Sequence, residues 1–543
     1  MQTRLWTAPV FAVLVTSAPL LAQAPKVDSF PVEVRLRSIN DLLSKADYIA
    51  GLIGQQETFR GLLQQIPIDS QQGLLGIDPR RPFGLYGDIS LDAVEGAGVL
   101  MIPIANLDTL LGFLQAQVGI MVEKKANGTL VVPLPPGSPV ESLYARLQGG
   151  YLYVAASEDQ LDAKRLITAK DFFAKDDGAV LSLTLRPERI PTVVRRELLA
   201  QLEENLRRLQ ESAETKTNPA ERAGFLLGGK GSVALMRALI EEVRELHLKL
   251  FVNEKQNDIS VELSVIPQPQ GVLAKNLTSL ELRTSRAYGI TAIPNAVVRG
   301  NMNFALTDET RKLWDDLVNS IVEQIKEEAP KKDREVAEKA IETLVPTLKA
   351  GMVDVAAAVT APNARGHYTV VAAIRVKDGQ KIDAAFRDIV RLYERDTGDT
   401  QSVKIAVSRV GNFTIHQIND ALPPEAGAYL GSRAIWIAFS DDLVAISVGP
   451  DNSVLRNSLT NKEIKAPVLS LDASLVGLAR LVDENASPQR ITRLINNTFG
   501  PVGSTGKDMV RLELTGGKEL KLRLNIQGGG IRFLAALLQS GPE

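Results

Sequence analysis

The stretch Leu520-Lys-Leu-Arg-Leu-Asn-Ile526 alternates leucine and isoleucine with lysine, arginine and asparagine. Successive strand side chains point to opposite faces, so this pattern predicts a strand with one apolar and one wet face. Upstream, Val510-Arg-Leu-Glu-Leu514 alternates in the same way, and Gly516-Gly517 lies between the two runs. The pair reads as an antiparallel hairpin with one covered side. A slip of one residue would bury Arg511, Glu513 and Arg523, so the register is well determined. Leu522 is expected in the core and Arg523 in water.

Working outward, the elements before this hairpin form a recognisable order. Asn303-Phe-Ala-Leu306 is a strand, and Thr307 caps a helix carrying Trp314, Leu317, Val318, Ile321 and Ile325. A second helix runs from Asp333 to Lys349, and Tyr368 to Val376 is a strand. Asp378-Gly379 opens a helix through Phe386 and Tyr393. Strands at Val403–Val407 and Phe413–Ile418 follow. Leu443-Val-Ala-Ile-Ser447, a short helix and Val468-Leu-Ser-Leu471 then lead into the hairpin.

Roughly 290 residues earlier the same order is spelled by Tyr151-Leu-Tyr-Val-Ala155, a short helix, Val180-Leu-Ser-Leu183 and a hairpin from Leu246 to Val265. Ser38 caps a helix there, and Asn127-Gly128 turns a hairpin. A helix is expected from Pro191 to Gln210, a polar loop over 211–223, and a further helix from Val233 to Glu245. The fold expected is α+β: two similar units, each a mostly antiparallel sheet covered on one face by amphipathic helices. The boundaries are 25–275 and 276–543, with an internal duplication as their origin.

The 543 residues are 45% hydrophobic and 23% charged, enough to build several cores. Residues 1–24 stand apart. Arg4 precedes an uncharged apolar run from Leu5 to Leu21, and Ala22-Gln-Ala24 offers small residues for cleavage. This is the pattern of a secretory signal peptide, cut near Ala22 or Ala24, and it places the chain in the periplasm or outside the cell. There is no cysteine, which excludes disulfides, thiolate metal sites, a cysteine nucleophile and a lipidated cysteine. No later run of about 18 apolar residues predicts a membrane helix. The net charge of −2 gives no bulk reason to bind nucleic acid. Lys326 to Lys339 is of mixed sign and reads as a solvated helical face.

The leader, the paired halves, the loop Asp78-Pro-Arg-Arg-Pro-Phe-Gly84 and the strand Val99-Leu-Met-Ile-Pro-Ile104 together carry a resemblance. The chain resembles signal-bearing exported proteins of planctomycete-type bacteria, over most of its length after the leader. The resemblance implies a bacterial envelope setting and brings no catalytic residue with it.

Candidate chemistry is sparse. Gly224-Phe-Leu-Leu-Gly-Gly229-Lys230 matches the start of a phosphate-binding loop, but Gly231 stands where the Mg²⁺-holding hydroxyl belongs. It reads as a loop, with Ser232 capping the next helix. Ser504-Thr-Gly-Lys507 fits the S-x-x-K of penicillin-binding enzymes without its K-T-G partner, and reads as a loop before the last hairpin. His247, His367 and His416 lack metal-ligand spacing and are expected to be exposed. Glu158-Asp159 and Asp441-Asp442 are paired acids in turns, where adjacent carboxylates face apart. No catalytic, cofactor-binding or metal site is assigned, and no cofactor is expected. The function expected is that of an exported, soluble, non-catalytic envelope protein acting by binding, its partner unknown. The alternatives are a carrier for lipid or another apolar ligand, and a carboxylate-dependent hydrolase of envelope polymers.

Overall fold

The computed structural model describes residues 30–64, 68–69, 73–89, 98–135, 137–138, 140–163, 166–174, 177–214, 219–328, 334–482, 488–500, 504 and 506–539. The leader and Thr505 of the S-x-x-K stretch lie outside them. The described residues form two compact units. One holds those up to Gln201 together with Ala238–Gln268, and the other holds Leu202–Arg237 and those from Pro269 onward.

The first unit contains an antiparallel sheet of ten described strands: β1 Val32–Leu36, β2 Phe83–Gly87, β3 Gly98–Pro103, β4 Glu123–Lys124, β5 Leu130–Pro133, β6 Ser142–Gln148, β7 Tyr151–Ala155, β8 Leu181–Leu185, β9 Val243–Asn253 and β10 Asp258–Pro267. Their spatial order is β10-β9-β8-β1-β2-β3-β7-β6-β5-β4.

The sequence of β7 is continuously apolar because both faces are covered at that end of the sheet. Tyr151, Tyr153 and Ala155 join Tyr86, Met101 and Phe172 in one cluster. Leu152 and Val154 join Ile102 and Leu110 in another, on the opposite face. The Tyr153 hydroxyl donates to Ile167 O at 2.9 Å, which satisfies a buried polar atom. Helix Ile39–Leu52 starts at the expected cap, with Asp41 N donating to Ser38 Oγ at 2.9 Å.

The second unit likewise holds ten antiparallel strands: β11 Ala296–Ala305, β12 Met352–Thr360, β13 Val370–Arg375, β14 Val403–Val410, β15 Phe413–Ile418, β16 Ile435–Phe439, β17 Leu443–Val448, β18 Leu469–Ser474, β19 Met509–Thr515 and β20 Leu520–Gln527. The order is β20-β19-β18-β11-β12-β13-β17-β16-β15-β14. The hairpin from which the fold was read keeps its register, with Leu512 opposite Leu524 and Glu513 opposite Arg523.

The core of this unit joins Ala356, Ala358, Val371, Ala373, Phe413, Ile415 and Trp436 to helix Arg286–Ile290 and to Leu455 and Leu459. On the other face, helix Gly379–Thr397 sets Ile382 and Phe386 against Phe439 and Val444. Helices Asp308–Glu328 and Arg334–Leu348 take the places expected of them, and Trp314 Nε1 of the first donates to Leu348 O of the second at 2.7 Å.

Two expectations need correction. The glycine-rich stretch 224–231 is not a loop, because helix Pro219–Glu241 runs straight through it after helix Thr192–Glu214. A Cβ on Gly229 would come within 2.1 Å of the Leu209 side chain, so the glycine lets the two helices approach closely. Ser232 therefore caps nothing. Its hydroxyl donates back to Gly228 O at 2.8 Å within the helix. The strand after this helix starts at Val243, inside the segment expected to be helical to Glu245.

Candidate functional site

The apolar rows that the sequence assigns to a covered face are in part open. In the second unit, cross-strand pairing puts Met302, Val355, Ile374 and Val444 in one row, and Leu471, Gly300, Ala357, Ala372 and Ile446 in the next. These rows lie opposite the core cluster. Met302 is 41% exposed, Ile374 40%, Ile446 39% and Leu471 41%. Leu512 and Leu522 extend the surface onto β19 and β20, both only partly buried.

From β20 to β17 this face carries no charged side chain over seven adjacent strands, about 30 Å at the usual spacing. Leu181, Leu248 and Val261 are similarly open on β8, β9 and β10 of the first unit, and pairing places them on one face. Leu522 was expected in the core. It shares the apolar face as predicted, but that face is not sealed. No sequence signal marks this surface, since an open and a covered apolar row read alike.

The histidines fall in separate surroundings. His416 was expected to be exposed and is 0% exposed. It lies on the β15 face that helix Gly379–Thr397 covers, edge-on to Phe386 and Phe439. Ala406 N donates to its Nδ1 at 3.3 Å, so the proton resides on Nε2, which stands 2.9 Å from Asp383 Oδ1. Asp383 also takes a two-pronged contact from Arg387, at 2.9 and 3.0 Å.

This His–Asp pair has the components of acid–base chemistry, but the ring is fully enclosed, so it presents no edge to a substrate. His247 is half-buried, with Nδ1 2.9 Å from Thr184 Oγ1 and Nε2 3.1 Å from Glu245. His367 lies in a turn where its backbone N–H donates to Asn363 Oδ1.

Burial holds the His416 imidazole below its ordinary pKa, outweighing the nearby Asp383 carboxylate. His247 is lowered in the same direction, again by burial first. An unfolded chain therefore protonates these rings before the folded one does. Stability is expected to be lost as pH falls below about 6.5, the value of a free histidine. Thermal melting between pH 7.5 and 5.5 should show this slope, and His416→Gln should flatten it. A slope that His416→Gln leaves unchanged would remove His416 as its source.

The paired acids are not brought together. Glu158 accepts from Lys125 at 2.5 Å and Asn127 at 2.8 Å, and Lys125 holds its carboxyl below the usual range. Asp442 accepts from Ser440 Oγ at 3.2 Å in the turn between β16 and β17. Ser504 O accepts from Lys507 N at 2.8 Å in a turn ahead of β19.

One buried polar group that sequence reading missed is Asp354 on β12, which is 2% exposed. Ser285 Oγ donates to its Oδ1 at 2.5 Å, and the backbone N–H groups of Arg286 and Ala287 also aim at it. The carboxylate thereby ties the start of helix Arg286–Ile290 to the sheet. Burial pushes its pKa up against these hydrogen bonds. Among the described residues, no three His, Asp or Glu side chains are grouped as a metal site.

No protein-family model, curated protein or solved structure matches this chain.

Among the described residues, no helix is long and apolar enough to cross a membrane.

Proposed function

We propose that this chain is an exported, non-catalytic binding protein of the bacterial envelope whose ligand is an uncharged hydrocarbon, an acyl chain above all. The observation that carries the reading is the open face of the second unit, with Met302, Ile374, Ile446 and Leu471 each about two-fifths exposed. Contiguous exposed apolar surface marks a place where something binds. Protein interfaces surround such a patch with polar groups, whereas these rows contain none across seven strands. An acyl chain needs no hydrogen-bonding partner and suits a surface that offers none.

We also read the two units as copies of one module. In support, the strand order of the second equals that of the first, strand for strand, when ten is added to each label. The apolar rows open on β8–β10 occur again on β18–β20, which are their counterparts in this scheme.

The test is native mass spectrometry of the purified chain, with displacement of a fluorescent fatty acid as a second readout. Co-purifying lipid and saturable displacement are the expected results. Ile446→Glu places a carboxylate on an exposed position of the face, so it should fold normally and lose most of the bound probe. A lipid-free protein that takes up no fatty acid would refute the reading.

A further inference from the structure

β14 departs from regular pairing at its centre. Lys404 lies opposite Gln417 and Ser408 opposite Ile415, so Ile405, Ala406 and Val407 stand against His416 alone. Such a bulge interrupts the ladder and leaves backbone groups without their usual strand partners. Ala406 sits in the middle of it with φ +53°, a left-handed conformation that crowds the Cβ of an alanine. A residue with a Cβ keeps that conformation only where its surroundings hold it. The hold here is the His416 ring, whose Nδ1 accepts from Ala406 N at 3.3 Å.

The chemistry of that bond sets a condition. A backbone N–H can only donate, so Nδ1 must be unprotonated. An imidazolium carries a hydrogen on both ring nitrogens and accepts at neither. Protonation of His416 and the bond from Ala406 therefore exclude one another. The charged groups facing the ring act in opposite senses. Asp383 of helix Gly379–Thr397, with Oδ1 2.9 Å from Nε2, favours the protonated ring, and Arg387 of the same helix disfavours it. β16 brings Ile437 opposite His416 and sets the Phe439 ring against it, and neither titrates. From β14, Arg409 shares this face through its pairing with Thr414 and is exposed. Among the described residues, β14 is the outermost strand of its order and pairs with β15 alone. A bulge and exposed basic residues, here Lys404 and Arg409, keep such an edge from pairing further.

We propose that His416 is a pH-sensitive latch on this edge: the neutral ring pins the β14 bulge through the Ala406 N–H, and protonation of the ring releases residues 405–407. Burial holds the imidazole below its ordinary pKa, so the latch is closed at neutral pH and opens as pH falls through a value below about 6.5. Release is local, because β15 stays paired to β16 on its other side. The latch does not depend on how the open apolar face is used.

Hydrogen exchange of the full chain tests it, read as protection factors so that the intrinsic pH dependence of exchange cancels. Between pH 7.5 and 5.0, protection over 403–410 should fall about tenfold or more, while β16 and β17 keep theirs. The titration of the ring, followed by its nitrogen NMR shifts, should share the midpoint of that fall. His416→Gln offers Ala406 an uncharged carbonyl oxygen at every pH, so its protection over 403–410 should not change with pH. Protection that persists once the ring is protonated would overturn the latch. So would a ring that stays neutral until the whole protein unfolds, or an equal loss of protection in His416→Gln. If that variant does not fold, the two midpoints in the parent decide, and midpoints a full pH unit apart would overturn the latch.

Discussion

Replacing Phe413 with alanine is expected to destabilise the second unit by about 3–5 kcal/mol, the usual cost of deleting a buried aromatic ring. Phe413 is 1% exposed and sits at the start of β15, in the cluster that joins Ile415, Trp436 and Leu455. The Arg286 guanidinium stands 5.9 Å from its ring centre, so the cavity would open beneath helix Arg286–Ile290 as well. Strand pairing on one side and the helix on the other limit how far the site can collapse, which puts the cost at the upper end. Ile446→Ala is the control. It removes a comparable apolar side chain from the open face and should cost about 1 kcal/mol, in proportion to the smaller area it buries. Denaturant unfolding checks both, and equal losses would mean that the face is as well sealed as the core.

Asp354 yields the second large effect, and its sign depends on the replacement. Asp354→Ala removes the acceptor for Ser285 Oγ at a position 2% exposed. A buried donor without a partner costs about 1–3 kcal/mol, so a loss toward the upper end of that range is expected. Asp354→Asn keeps an acceptor oxygen and removes a buried charge, and at neutral pH it should match or exceed the parent in stability. The folded pKa of Asp354 is raised by burial. Its favourable contribution is therefore complete below the unfolded value of about 3.9 and is lost as pH rises through the folded value. Melting curves from pH 4 to 7 should show this slope in the parent and not in Asp354→Asn. The slope opposes that of His416, so the two variants separate the two groups. A destabilised Asp354→Asn with an unchanged pH profile would count against the account of a strained buried carboxylate.

The particular elements explain what could and could not be read from the chain. Alternation in 510–526 was strong enough to determine strand, register and face. Met352–Thr360 was missed because its centre is Ala356-Ala-Ala358, a run with helical preference that becomes β12 only between two neighbouring strands. Ser142–Gln148 was missed for a related reason, since its tyrosine, arginine and glutamine make no clean alternation. The glycines at 224–231 signalled a loop, and close approach to Leu209 reversed that preference. His416 was misjudged because alternation names two faces but does not say that both are covered. Helix Gly379–Thr397, distant in sequence, closes the second one. Asp354 gave no sign because a lone acid in an apolar run acquires its role only from the helix that comes to rest on it.

Taken alone, the chain determined the type of its most strongly patterned elements, the clearest antiparallel hairpins and the side of those strands that carries the apolar residues. These follow from local spacing, because a side chain's direction along a strand or helix is set by its immediate neighbours. The tertiary structure decided which apolar rows are covered and which stay open, and which histidine is sealed. Those outcomes depend on elements far apart in sequence arriving at the same place, and nearest-neighbour pattern carries no record of that arrival.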